Sequence, residues 1–289
     1  MAAFAYVSIR LYLKTLLNRS LQVISPFQSI LNYELKLGIP PGWVNYSISK
    51  TAPLGFWHRL ETGRIPMDSA FFGGFNRDLH DPARWEAFYR AQRAKNSSLP
   101  EQIPPVPAID GEWLFFDMMA AARSPDPWMF PALKRLQESG KFIVAALSNT
   151  VIFPPNHEYS KVEFLEDPVR SLFDVFVSSA HVGLRKPDPA IYQLALQKVD
   201  EFAKANADSK RGKAGGWSSG VQPGDIVFLD DIGENLKAAK QAGFQTIKVS
   251  LGRAFEAVDE LENITGLSLA GGHPRIPVKA NYKATKAKI

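Results

Sequence analysis

The chain has 289 residues, of which 45% are hydrophobic, 11% aromatic and 22% charged, a composition that excludes disordered, collagenous and fibrous classes and allows about two domains. It contains no cysteine, which excludes disulfides, thiolate metal sites and thiol nucleophiles and suits a reducing compartment. The net charge of +5 lies at the edges: residues 1–33, 203–223 and 270–289 together carry +11 and leave the rest at −6, so no basic groove is expected and nucleic acid is not an expected partner.

Residues 1–24 stand apart as an atypical N-terminal segment. Phe4, Val7, Leu11, Leu13 and Leu17 make it apolar, and Arg10, Lys14 and Arg19 interrupt it without any acid. The uninterrupted runs fall short of the about 20 residues of a membrane span, so no membrane span is expected. The acid-free, basic pattern has something of a mitochondrial presequence, an alternative to a cytoplasmic location. Otherwise the segment reads as a helix or strand packed on the body.

Residues 25–122 read as a mostly α-helical region. Ser25 and Pro26 open a helix whose apolar stripe is Phe27, Ile30, Leu31 and Leu35, and Gly38 and Pro40-Pro41 stop it. Aromatic-rich segments follow at Trp43–Ile48, Phe56–Leu60 and Asp68–Leu79, and Asp81-Pro82 opens another helix. Strand signal is almost absent here. Trp43, Trp57, Phe71, Phe75, Trp85 and Phe88 are expected to pack helices rather than to stack bases or a cofactor.

Residues 123–265 switch to alternating helix and strand. Pro131 starts a helix ended by Gly140, and short apolar strands are predicted at Phe142–Leu147, Asp174–Val177, Ile226–Leu229 and Thr246–Val249, with helices at Asp188–Val199 and Glu234–Ala242. This is the pattern of a doubly wound parallel sheet, an α/β, Rossmann-like class. Residues 203–223, small and polar, read as a flexible surface insertion, and 266–289 as a basic disordered tail.

Ligands of such sheets bind at the carboxyl ends of the strands. There the sequence places Ser148-Asn149, then Arg185-Lys186-Pro187-Asp188-Pro189, then Asp230-Asp231. Asp188 and Pro189 form a helix N-terminus that stiffens the loop carrying Lys186. Each residue alone is an ordinary cap or solvated side chain. Together a hydroxyl, an ammonium and two adjacent carboxylates suit a phosphate-bearing small molecule and a divalent cation such as Mg²⁺.

The segments ALSNT (146–150), GLRKPDPAIYQLAL (183–196) and VFLDDIGENLKAAKQAG (227–243) resemble motifs two, three and four of the haloacid dehalogenase-like hydrolase superfamily. The subgroup it looks most like contains the phosphatase domain of soluble epoxide hydrolase and the hydrolase-like domain of some acyl-CoA dehydrogenase proteins. The resemblance covers about residues 23–265, and it implies that the helical region is a cap inserted into the α/β core. It implies a Mg²⁺-dependent phosphatase of a small phosphorylated metabolite, with Ser148, Asn149 and Lys186 binding phosphate, Ser148 and Lys186 taking part in catalysis, Asp230 and Asp231 holding Mg²⁺, and Asn235 bracing the acidic loop.

One departure is severe. The family's first motif is a strand ending in an aspartate that attacks phosphorus, and this chain has no aspartate before Asp68 and no glutamate before Glu34. Laid without gaps, the nucleophile position falls near Leu17 and the position two later near Arg19. The chain as written is therefore expected to be inactive, through a wrongly assigned start or as a pseudoenzyme. Alternatives are a non-catalytic protein that binds a phosphate ligand or a partner, and a dehalogenase-type hydrolase, which the paired Asp230 and Asp231 disfavour. Asp117 reads as a helix residue. GWSSG at 216–220 lacks the strand-before, helix-after context of a serine nucleophile elbow, and the five histidines show no metal-ligand spacing.

Overall fold

The computed structural model describes residues 4–7, 26–121, 125–160 and 169–278. Five strands form one parallel sheet: β1 (Phe4–Val7), β2 (Val144–Ser148), β3 (Val175–Ser178), β4 (Ile226–Asp230) and β5 (Gln245–Lys248), in the order β3-β2-β1-β4-β5. The segment set apart at the N-terminus thus supplies the middle strand. Val7 pairs with Ala146 on one side and Leu229 on the other. A first strand ending at Val7 corrects the ungapped register that pointed to Leu17, and Leu17 and Arg19 lie outside the described residues.

Between β1 and β2 the chain builds α1 (Pro26–Lys36), α2 (Trp43–Lys50), α3 (Phe56–Glu61), α4 (Ser69–Leu79), α5 (Pro82–Arg93) and α6 (Gly111–Ala121), then α7 (Met129–Ser139), which leads into β2. The caps are those the sequence implies: Asp68 accepts the Phe71 N–H at 2.9 Å and Asp81 the Arg84 N–H at 2.7 Å. Asp117 lies on α6, as read. The cap has its own core, in which Trp43, Trp57, Phe71, Phe75, Trp85 and Phe115 are all buried. Leu35 does not join that core and is 41% exposed. Buried Glu34 takes the inward place, because its carboxylate accepts the N–H groups of Gly42 (2.6 Å) and Val44 (2.8 Å) at the start of α2.

The remaining helices are α8 (Ser179–Val182), α9 (Pro189–Ala205), α10 (Lys210–Gly215), α11 (Gly233–Gln241) and α12 (Ala254–Thr265). Alternate strand residues feed two cores. Val144, Ala146, Val227 and Leu229 pack with residues of α7 and α12, while Ala145, Leu147, Ile226 and Phe228 pack with residues of α9 and α11. A parallel sheet covered on both faces needs such continuously apolar strands. The helix expected to start at Pro131 starts at Met129, because the Asp126 carboxylate accepts the N–H groups of Trp128 and Met129.

Two sequence expectations fail here for packing reasons. The 203–223 segment is not a loose surface insertion: it forms α10, buries Trp217 and Val221 in the core, and holds Asp174 through two bonds from Arg211 at 2.8 and 2.9 Å. The supposed tail is anchored as far as it is described. Leu269 is buried, Trp128 donates its indole N–H to the Pro274 carbonyl, and the Val278 N–H reaches the Gly252 carbonyl. Residues 279–289 lie outside the described residues.

Candidate active site

β2 ends at Ser148 and β4 at Asp230, and the strand β1 between them brings these two ends to one edge of the sheet. Asp188 caps α9 by accepting the Ala190 N–H at 2.9 Å, so the turn before it is fixed and delivers Lys186 to the same edge. The Lys186 ammonium donates to Asp230 Oδ2 at 2.8 Å, and the two residues are only 2% and 3% exposed. The ammonium also lies 5.6 Å from the centre of the Phe228 ring.

The surroundings hold this pair in place. Asn149 grips the Lys186 backbone from both sides, its Oδ1 accepting the Lys186 N–H at 2.8 Å and its Nδ2 donating to the Lys186 carbonyl at 3.2 Å. Asp230 Oδ1 accepts the Ile232 N–H at 2.8 Å and the Asn235 amide at 3.1 Å. Tyr192 donates its hydroxyl to the Asn235 carbonyl at 2.9 Å, and burial first, then the Asp230 charge, pushes the phenol pKa up so that it stays a donor. Asn235 is thus bonded to Asp230 at the start of the acidic loop, and the Asn149 side chain is bonded to the lysine loop.

Ser148 is fully buried, and its hydroxyl has no hydrogen-bond partner among the described residues. A buried hydroxyl without a partner is costly, so this one is an open donor at the end of β2. Asp231 is half-buried and follows Asp230 directly. Two adjacent carboxylates at a strand end suit a hard cation that takes one or two carboxylates and fills its shell with phosphate and water. No cluster of three or more histidine or acidic residues exists among the described residues, so a cation here would depend on those outer ligands.

The residue after Val7 in the sequence is Ser8, with Arg10 two further on; both lie outside the described residues, and neither is an acid. The GWSSG string lies on a short 3₁₀ turn after α10 and ahead of β4, the wrong context for a nucleophile. Sequence reading missed Tyr192, Ser179 and the Glu61–Arg185 contact. Tyr192 lies within the motif beginning at Gly183 and could have been singled out as an aromatic one turn into the helix.

The family model described as haloacid dehalogenase-like hydrolase matches residues 75–243, more than half of the chain. Acyl-CoA dehydrogenase family member 10 of Mus musculus is 34% identical over 254 residues, 87% of this chain and 19% of that protein. Bifunctional epoxide hydrolase 2 of Sus scrofa is 27% identical over 241 residues, 82% of this chain and 35% of that protein. The chain therefore spans between a fifth and about a third of these curated relatives. Among solved structures, a HAD family enzyme from Bacteroides thetaiotaomicron in complex with magnesium and inorganic phosphate has 16% identity and a TM-score of 0.43, over 87% of this chain and 96% of that one. With the sheet order, the buried Lys186–Asp230 pair and the family match in hand, the chain belongs to the haloacid dehalogenase-like hydrolase family.

Proposed function

We propose that this chain binds a small phosphorylated molecule with Mg²⁺ at the carboxyl edge of the sheet, in a phosphatase-type site, and as written does not turn it over. The observation that carries the reading is the buried Lys186–Asp230 pair at the same sheet edge as Ser148, whose hydroxyl has no partner among the described residues. Lys186 would hold phosphate oxygens by charge, and Ser148 would donate to one of them. Asp230 and Asp231 would hold Mg²⁺, which when bound offsets the charge that two carboxylates and a phosphate bring together. Asn149 fixes the lysine backbone, and Asn235 and Tyr192 fix the acidic loop. The missing part is an aspartate nucleophile directly after β1, and charge stabilisation alone does not form the aspartyl intermediate.

Titration calorimetry with inorganic phosphate, paired with a p-nitrophenyl phosphate assay, tests this. The expected result is saturable, Mg²⁺-dependent phosphate binding that Asp230→Asn abolishes, with no hydrolysis above background. Absence of phosphate binding would overturn the site assignment. Mg²⁺-dependent hydrolysis lost in Asp230→Asn would overturn the inactive part. Ser8→Asp combined with Arg10→Asp, which writes an aspartate directly after β1 and another two later, is expected to raise hydrolysis at least about a hundredfold, a fraction of the about 10⁶ that a nucleophile is worth.

A further inference from the structure

Glu61 ends α3 in the cap and is completely buried. Its Oε2 accepts from Arg185 Nε at 2.9 Å and lies 2.7 Å from Arg185 Nη2. Its backbone carbonyl accepts the Ser179 hydroxyl at 2.5 Å, and the same Ser179 oxygen accepts the Thr150 N–H at 2.8 Å. Arg185 is the residue before Lys186, and Thr150 is two residues after Ser148. One cap residue is therefore tied by its side chain to the lysine loop and by its main chain to the serine loop.

The fit around this contact is close. Gly63 has φ +64° and lies so near α8 that a Cβ on it would come within 2.2 Å of the Ala180 carbonyl oxygen. Among the described residues Glu61 Oε1 is buried with no partner, and His58 Nδ1, one turn earlier on α3, is buried in the same condition. Burial, then the nearby Arg185 charge, lowers the His58 pKa to about 4, so the imidazole is neutral and does not balance the Glu61 carboxylate. Arg185 does balance it, and is itself 22% exposed.

We propose that Glu61 is a positioning residue that couples the seating of the cap to the geometry of the two phosphate-binding loops, with Arg185 and Ser179 as its two attachment points. This rests on the reading of Ser148 and Lys186 as a phosphate site. Glu61 touches neither of these side chains in the structure; it acts on the backbone segments that carry them. Glu61→Gln removes the charge that holds Arg185, which can turn to solvent, so the cap loosens without leaving a buried ion behind. Ser179→Ala cuts the main-chain tie alone.

The absence of cysteine allows background-free labelling: Ala91→Cys on α5 and Lys240→Cys on α11, both exposed, place one spin label on the cap and one on the core. In the otherwise unchanged chain a single narrow distance distribution is expected. With Glu61→Gln the distribution should broaden, amide exchange in peptides covering 146–151 and 184–188 should quicken about tenfold, and the Kd for inorganic phosphate with Mg²⁺ should rise about tenfold. Ser179→Ala should quicken exchange in 146–151 more than in 184–188. An unchanged distance distribution, or a broadened one with unchanged exchange in both loops, would overturn the coupling. Should the unmodified chain bind no phosphate, the phosphate reading falls, and distance and exchange still decide the coupling.

Discussion

Two adjacent cations, Arg185 and Lys186, face carboxylates in different parts of the molecule, and the two pairs are built differently. Lys186 meets Asp230 inside the core, where the second carboxylate oxygen is also bonded, by the Ile232 N–H and the Asn235 amide. Arg185 meets Glu61 across the cap–core boundary, where the second carboxylate oxygen is buried with no partner among the described residues. A fully bonded pair fixes charge in one place. A pair with an orphaned oxygen is held from one side only and depends on its single cation. In the reading proposed above, the core pair serves ligand binding and the boundary pair the seating of the cap.

Removing each cation breaks this comparison most directly. Arg185→Met leaves a completely buried carboxylate without its cation, and a loss of about 3 to 5 kcal/mol is expected in urea unfolding. Lys186→Met leaves Asp230 still bonded by the Ile232 N–H and the Asn235 amide, so a smaller loss of about 2 to 3 kcal/mol is expected. Phosphate binding should rank the other way, abolished in Lys186→Met and only weakened in Arg185→Met. Equal losses of stability, or equal losses of binding, would show that the two pairs are not distinct in the way their partners imply.

Acid sharpens the comparison at the boundary pair. His58 is neutral when folded, with a pKa of about 4 against an ordinary 6.5. The unfolded chain takes up the proton first, so the stabilisation is present in full above pH 6.5 and is lost as pH falls from 6.5 towards 4. At pH 5 this amounts to a loss of about 2 kcal/mol, and His58→Asn should flatten that part of the urea midpoint profile. A profile of the same slope in the variant would remove His58 from the account.

Much of the core was legible because its signals are local. Ile226–Leu229 is an apolar run bounded by Gly224 and Asp230, and Asp81, Asp188 and Pro189 announce their helices. The strand β1 was not, because Phe4–Val7 runs on into Ile9, Leu11 and Leu13 with no turn residue to bound it, and a short apolar run has no period of its own. Trp217 was misread because small and polar neighbours outweighed one large ring. The Glu61–Arg185 contact joins residues far apart in the chain and has no spacing rule to reveal it. Residues of the candidate site were visible where a strand end marks them, and contacts were invisible where only the docking of two units brings residues together.

The smallest expected effect concerns Ser148, and its sign is informative. In the structure its buried hydroxyl is bonded to nothing among the described residues, so Ser148→Ala removes a desolvated polar group and leaves a methyl-sized side chain in an apolar strand end. Stability without ligand should rise by about 1 kcal/mol, read as a higher urea midpoint at unchanged slope. Phosphate affinity should fall about fivefold to tenfold, the worth of one hydrogen bond to a charged acceptor. A hydroxyl that served only the fold would lower stability when removed and leave phosphate binding alone. Opposite movement of the two quantities is what a group kept unbonded for a ligand predicts, and a fall in both would assign Ser148 to the fold.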